Sequence, residues 1–224
     1  MPPVTAHSEQ ASLRAARVST VANLALMAIQ IATGYVTGSH AIVADGMHTL
    51  VDLAIDALLF LPLWFTRGSA QRATAWLPAA ATTLLPTLVG AFMLAQALNA
   101  TVDGASASTA AQTGALMVAI VVIATRELVA RHLHATAAQL EDSHAHAVDA
   151  LKAGAWHARL DALSAGAAAV GALGTLAGVH HLDQLAAVSI GAMMIGMGLF
   201  SAYGVIRRCS RRVWARFSAR AYSA

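Results

Sequence analysis

Two short stretches of this chain each carry a histidine and an aspartate four residues apart. The first is ADGMHTLVD, which holds His48 and Asp52, and the second is HARLD, which holds His157 and Asp161. Because an α-helix places residues i and i+4 on one face, each pair can direct both side chains at a common ion. Two imidazoles and two carboxylates suit Zn²⁺, which takes nitrogen and oxygen donors in tetrahedral geometry. We therefore predict one metal site with four ligands, two from each helix.

Both pairs lie in segments that are apolar enough to cross a membrane. Of the 224 residues, 58% are hydrophobic and 11% are charged, whereas a soluble domain carries about 25% charged residues. An ionisable side chain at membrane depth costs roughly 2.5–3.5 kcal/mol on insertion scales, so it usually faces an interior and has a function. Asp45 is on the same helix face as His48. We predict that it supports the ligands or joins helices, in preference to acting as a fifth ligand.

The apolar segments predict an all-α, polytopic membrane protein with six transmembrane helices. Every backbone group inside a bilayer must be paired internally, and with such short connections only helices satisfy this requirement. The predicted organisation is an N-terminal segment over residues 1–14, a six-helix transmembrane domain over 15–206 and a short basic tail over 207–224. The predicted spans are residues 15–36, 41–65, 74–99, 112–133, 151–178 and 184–206.

Basic residues predict the orientation. If the six helices alternate in direction, thirteen of the fourteen lysines and arginines fall on one side of the membrane, which the positive-inside rule assigns to the cytoplasm. We therefore expect both termini to be cytoplasmic, and the basic tail to lie on anionic membrane lipid rather than on nucleic acid. The thirteen are Arg14, Arg17, Arg67, Arg72, Arg126, Arg131, Lys152, Arg207, Arg208, Arg211, Arg212, Arg216 and Arg220.

Arg159 is the remaining basic residue and falls inside the fifth predicted span. It is two residues from both His157 and Asp161, so it belongs to a different face of the helix. We expect it to reach toward the cytoplasm or to pair with a carboxylate such as Asp56. Glu127 is expected to form an ion pair or a cap at a cytoplasmic helix end.

The two stretches resemble the signatures of a known family. GSHAIVADGMHTLVD is similar to the second-helix signature of the cation diffusion facilitator family, and WHARLDALSAG is similar to its fifth-helix signature. The resemblance covers about Val18 to Arg207. It implies a dimeric, proton-coupled exporter of divalent metals in a bacterial-type inner membrane. It also implies that the four His and Asp side chains bind the transported ion, in the combination typical of the zinc-preferring branch.

The sequence departs from the family pattern in three places, one of which is Arg159 between the two proposed fifth-helix ligands. The chain ends about eighteen residues after the sixth predicted span, so we expect the usual cytoplasmic metal-binding domain to be missing and dimerisation to rest on the transmembrane part. The connection TRGSAQRA, residues 66–73, lacks the family's His-Pro-aromatic-Gly pattern. No peripheral metal site is expected there.

Other histidines cluster outside the predicted spans. The segment RHLHATAAQLEDSHAHAVD is either a mobile site that collects metal or a solvated loop, and the sequence does not separate these two interpretations. Its candidate ligands are His132, His134, His144 and His146. A second group could form a weak exit site or could be surface polar residues, namely His180, His181 and Asp183.

The pattern as a whole favours a secondary transporter that exports Zn²⁺ in exchange for protons. Metal binding requires neutral imidazoles and ionised carboxylates, so binding releases protons. An enzyme is not expected, because H-E-x-x-H is absent, and direct drive by ATP is not expected, because G-x-x-x-x-G-K-[ST] is absent. Three alternatives remain open: a non-transporting, metal-responsive subunit that pairs with a fuller relative, a membrane metalloenzyme, and an interhelical polar network without an ion.

Overall fold

The computed structural model describes residues 4–65, 77–100, 108–140 and 145–221 of the chain. Across these ranges the secondary structure is entirely helical, with six α-helices and no strand. The all-α prediction is therefore confirmed for the described residues. The helices are α1 (Val4–Thr37), α2 (His40–Phe65), α3 (Leu77–Asn99), α4 (Thr109–Leu140), α5 (Ala145–Leu176) and α6 (His181–Ala221).

Four of these helices are long and apolar enough to cross a membrane. The apolar segments are Arg14–Thr37 in α1, Ala79–Asn99 in α3, Thr109–Gln139 in α4 and His181–Arg207 in α6. Within the described ranges, α2 and α5 are not among them. These are the two helices that carry the His and Asp pairs. An integral, multi-pass membrane protein is thus supported, whereas six spans and cytoplasmic termini stay predictions.

Most of the helices are longer than the spans predicted for them. α1 begins at Val4, α4 continues to Leu140, and α6 continues without a break to Ala221. Bilayer thickness limits the apolar stretch, but it does not end the hydrogen bonding of a helix. The alanine-rich sequence beyond residue 133 favours helix, so much of the predicted loop between the fourth and fifth spans belongs to α4 and α5.

Helix α2 occupies the centre of the bundle, because it contacts α1, α3, α5 and α6. The largest cluster of buried apolar residues surrounds it, and most of its members are alanines. Small side chains let helix backbones approach closely in lipid. One such close approach joins α3 and α6, where a Cβ added at Gly90 would lie 2.7 Å from the carbonyl oxygen of Gly191.

A buried carboxylate from α6 fixes the start of α2. Gly38 has a φ of +69° and turns the chain between α1 and α2. Ser39 then caps α2, since its Oγ accepts a hydrogen bond from the Ile42 backbone N–H at 3.2 Å. Asp183 accepts from the Ser39 hydroxyl at 2.6 Å and from the His40 backbone N–H at 2.8 Å. A negative charge at a helix N-terminus is stabilising, so this contact ties α6 to α2.

Candidate metal site

The predicted ligands of α2 and α5 meet inside the bundle. His48 is buried, and its Nε2 lies 3.3 Å from Oδ1 of Asp161 and 3.5 Å from Oδ2 of Asp52. The candidate ligand atoms of these three residues all lie within 4.8 Å of one another. The i, i+4 spacing on α2 supplies His48 and Asp52, while the packing of α5 against α2 brings Asp161 to them.

His157 completes the arrangement from the more open side. Its side chain is 44% exposed, compared with 2% for His48. Its Nε2 lies 3.6 Å from Oδ2 of Asp52 and 3.7 Å from Oδ1 of Asp161. Each imidazole nitrogen therefore faces one oxygen from each of the two carboxylates. All four predicted residues are brought together, whereas their role as metal ligands stays a prediction.

The separations between these atoms fit a small four-coordinate cation. Ligand atoms that lie about 2.0–2.1 Å from Zn²⁺ stand about 3.3–3.4 Å apart in a regular tetrahedron. The four nitrogen–oxygen distances of the site run from 3.3 to 3.7 Å. A shift of a few tenths of an ångström would bring each of these four nitrogen–oxygen pairs to the tetrahedral separation.

One carboxylate oxygen of the site lacks a hydrogen-bond donor. Oδ2 of Asp52 is buried, and among the described residues no donor bonds to it. Buried polar atoms are nearly always hydrogen-bonded, because the loss of water is otherwise uncompensated. A cation between the two imidazoles and the two carboxylates would compensate this oxygen for its lost hydration. The unpaired oxygen and the four nitrogen–oxygen distances therefore indicate the same position for a cation.

Asp45 has a different environment, although it lies on the same face of α2. The side-chain amide of Gln30 on α1 donates to its Oδ2. The hydroxyl of Ser164 on α5 donates to its Oδ1 at 2.5 Å. Both carboxylate oxygens are occupied by protein donors, so the geometry fits the predicted joining or supporting role and does not fit a fifth ligand.

Arg126 was counted with the basic residues that flank the loop after the fourth predicted span, but its side chain lies inside the helix bundle. Its side chain is 1% exposed and lies near the middle of α4. One guanidinium nitrogen, NH1, is 2.5 Å from Oδ2 of Asp161, and NH2 donates to Oγ1 of Thr49 at 2.5 Å. The prediction counted Arg126 with the loop that follows the fourth predicted span, although Arg126 lies seven residues before the end of that span. Arg126 therefore leaves the set of residues that supports the orientation.

A signal for this placement was present in the sequence. Seven positions of α4 recur at helical spacing, and all of them except Arg126 are alanine, valine or leucine. They are residues 115, 119, 122, 126, 130, 133 and 137. All seven are buried. A residue in register with such a stripe faces the interior of the bundle, whatever its charge. The periodicity of α4 thus predicts that Arg126 points inward.

Glu127, beside Arg126 in sequence, belongs to an exposed charge cluster. It accepts a hydrogen bond from Nε of Arg131 at 2.7 Å, and Nε of Arg159 on α5 lies 3.6 Å from its other oxygen. The ion pair predicted for Glu127 is therefore present. Arg159 does pair with a carboxylate of a neighbouring helix, but that carboxylate is Glu127 and not Asp56.

The structure describes only some of the remaining histidine candidates. His132 and His134 are exposed on α4, while His144 and the connection 66–73 lie outside the described residues. The side chain of His146 is also outside the description. A collecting role for this segment stays a prediction. Asp183, a candidate for an exit site, has both carboxylate oxygens engaged at the start of α2.

Comparison with known families adds an independent finding. The sequence profile of the cation efflux transmembrane domain matches residues 16–208. This range contains both signature stretches and most of the described helices, and it confirms the resemblance seen in the sequence. Among curated proteins, no relative matches this chain.

Proposed function

Because this chain belongs to the cation efflux family, whose members transport metal cations, we propose that it exports Zn²⁺ from the cytoplasm in exchange for protons. The proposed ligands of the transported ion are His48, Asp52, His157 and Asp161. Two nitrogen and two oxygen donors suit Zn²⁺ better than Mg²⁺ or Ca²⁺, which prefer oxygen alone.

The observation that carries this proposal is the environment of Asp52 Oδ2. This buried oxygen faces both imidazole nitrogens, at 3.5 and 3.6 Å, and takes no hydrogen bond from the described residues. A purely structural polar network would be expected to satisfy such an atom. A site that binds and releases a cation instead keeps ligand atoms available.

Proton exchange follows from the donor chemistry. A metal binds the neutral imidazole and the ionised carboxylate, so protons and metal compete for the same atoms. Protonation from one side would expel the metal, and metal binding from the other side would release protons. The exposed edge of His157 offers a route by which water and ions reach the buried members of the site.

The proposed topology has six spans with both termini in the cytoplasm of a bacterial-type cell, in its inner membrane. Arg131, Lys152 and the basic tail then face the same side, as the positive-inside rule requires. We further propose a homodimer formed through the transmembrane helices. Exposed apolar side chains on their outer faces are available for lipid or for a second copy.

One observation favours a second candidate function. A permanent cation, the guanidinium of Arg126, already pairs with Asp161. If this pair fixes the site in one state, the chain could bind metal without transporting it, as a metal-responsive subunit that pairs with another member of the family. Zn²⁺ uptake into liposomes separates the exporter from the non-transporting subunit.

The test is metal uptake into liposomes that contain the purified chain, under an imposed pH gradient. Zn²⁺, Mn²⁺ and Co²⁺ would be compared in the wild type, in Asp52→Asn and in Asp56→Asn, which changes an exposed carboxylate one turn further along α2. Zn²⁺ flux that follows the gradient, is lost in Asp52→Asn and is retained in Asp56→Asn is the expected result. Binding of Zn²⁺ without flux would support the non-transporting subunit. If no metal bound, the four residues would be structural polar contacts between helices.

A further inference from the structure

Arg126 contacts the proposed site from α4, a helix that supplies none of the predicted ligands. The two oxygens of Asp161 have separate partners. Oδ1 faces His48 and His157, at 3.3 and 3.7 Å, whereas Oδ2 lies 2.5 Å from NH1 of Arg126. The carboxylate is therefore divided between the cation position and the guanidinium.

We propose that Arg126 determines the ion selectivity of the site by occupying Oδ2 of Asp161. Only Oδ1 then remains for the transported cation, so Asp161 acts as a one-oxygen ligand. This favours cations that are satisfied by four ligands and disfavours those that need six or more oxygens. The inference rests on the proposed function, since it assigns a selectivity to the same site.

The charge and burial of Arg126 keep it paired with Oδ2 of Asp161. Guanidinium stays charged at every accessible pH, so it does not release the carboxylate by losing a proton. Its side chain is 1% exposed, and NH2 is held by Thr49 on α2 at 2.5 Å. A cation that took both oxygens of Asp161 would leave a buried, unpaired guanidinium, which is strongly unfavourable.

Cations differ in how much this restriction costs them. Zn²⁺ is commonly four-coordinate, and one oxygen from each aspartate and one nitrogen from each histidine complete its shell. Mn²⁺ prefers six mostly oxygen ligands. If Arg126 released Oδ2, Asp161 could bind through both oxygens and add to that shell. The restriction therefore acts against Mn²⁺ and leaves Zn²⁺ almost unaffected.

The charge of Arg126 has a second effect that must be separated from the first. A fixed positive charge beside the site weakens the binding of every divalent cation by a similar amount. Absolute affinities in a variant without this charge would rise for all ions. The ratio of the Kd for Mn²⁺ to the Kd for Zn²⁺ cancels the charge effect and reports the ligand geometry.

The experiment measures Zn²⁺ and Mn²⁺ binding to the full chain in lipid nanodiscs. The variants are Arg126→Gln and, as a matched control, Arg131→Gln, which removes the same charge from an exposed position on the same helix. We expect the Mn²⁺-to-Zn²⁺ Kd ratio to fall by about tenfold in Arg126→Gln, the scale of changes next to a metal ligand. Arg131→Gln should leave the ratio at the wild-type value.

A second variant keeps the inference testable if Arg126→Gln does not fold. Thr49→Val has nearly the same shape, keeps the charge of Arg126 and removes the acceptor of NH2. It should lower the ratio in the same direction by a smaller factor. An unchanged ratio in folded Arg126→Gln that still binds Zn²⁺, or in Thr49→Val when the first variant is unfolded, overturns the inference and leaves the proposed function standing. A wild type that binds neither ion overturns both.

Discussion

Asp45 and Asp52 lie seven residues apart on the same face of α2, yet their surroundings are opposite. Asp45 takes hydrogen bonds on both oxygens, from Gln30 of α1 and Ser164 of α5. Asp52 keeps a buried oxygen that no described residue bonds. A carboxylate whose oxygens are both bonded holds helices together, whereas one with an orphaned oxygen is available to a cation. Residue type and depth alone would not distinguish the two.

The largest expected effect comes from Asp52→Asn, which removes the charge and keeps the shape. We expect the affinity for Zn²⁺ to fall by about a hundredfold or more, because a direct ligand matters at least as much as its supporting groups. Stability without metal should change little, since the altered oxygen has no donor to lose. Zn²⁺ titration and thermal unfolding in metal-free buffer measure the two quantities. Asp56→Asn is the control, and a large loss of metal-free stability in Asp52→Asn would show that Asp52 has a structural role instead.

Asp45→Ala should show the reverse pattern. It leaves the buried donors of Gln30 and Ser164 without their acceptor, which costs about 1–3 kcal/mol of unfolding free energy. The affinity for Zn²⁺ should fall by less than about tenfold, as expected for a group behind the ligands. Unfolding by denaturing detergent and the same titration provide the readout. Loss of Zn²⁺ binding at unchanged stability would make Asp45 a ligand and contradict its assignment.

Asp183→Ala tests the carboxylate that lies at the start of α2. Loss of the contacts with Ser39 and the His40 backbone N–H should cost about 1 kcal/mol, the usual value of a helix N-cap. Zn²⁺ flux per folded molecule should be unchanged, because both carboxylate oxygens already serve the helix start. If flux fell at unchanged stability, the residue would belong to an exit site.

The smallest effect is expected from Glu127→Gln. Its partners Arg131 and Arg159 are 71% and 51% exposed, and exposed ion pairs contribute little to stability. The unfolding midpoint and the Zn²⁺ affinity should both stay within experimental error of the wild type. A marked change in Zn²⁺ affinity would show that this exposed cluster acts on the site.

The sequence predicted the contacts within one helix and the meeting of the two His/Asp pairs, but it missed other contacts that depend on how helices pack. His48 with Asp52, and His157 with Asp161, follow from the i, i+4 geometry of a single helix. The sequence did not predict that Asp183 would reach Ser39, 144 residues away. It also did not predict that Gln30 would bond Asp45. Such pairs depend on the rotation of one helix about its axis against another, which short-range spacing does not specify.

Arg126 shows the difference between the two kinds of information most clearly. The positive-inside rule counts arginines along the chain and assigned this one to the nearest membrane surface. The buried stripe of α4 places it in the interior, beside Asp161. The periodicity was the better guide here, because it describes which residues share a face, whereas a charge count describes only how near they are to a helix end.

The most direct test of the proposed site is X-ray absorption at the zinc edge, on the purified chain loaded with one equivalent of Zn²⁺. The predicted shell has four nitrogen and oxygen ligands at about 2.0–2.2 Å, with the scattering pattern of two imidazoles. Asp52→Asn should lose this spectrum, and Asp56→Asn should retain it. A six-oxygen shell, a sulfur contribution from Cys209, or an unchanged spectrum in Asp52→Asn would contradict the assignment of these four residues.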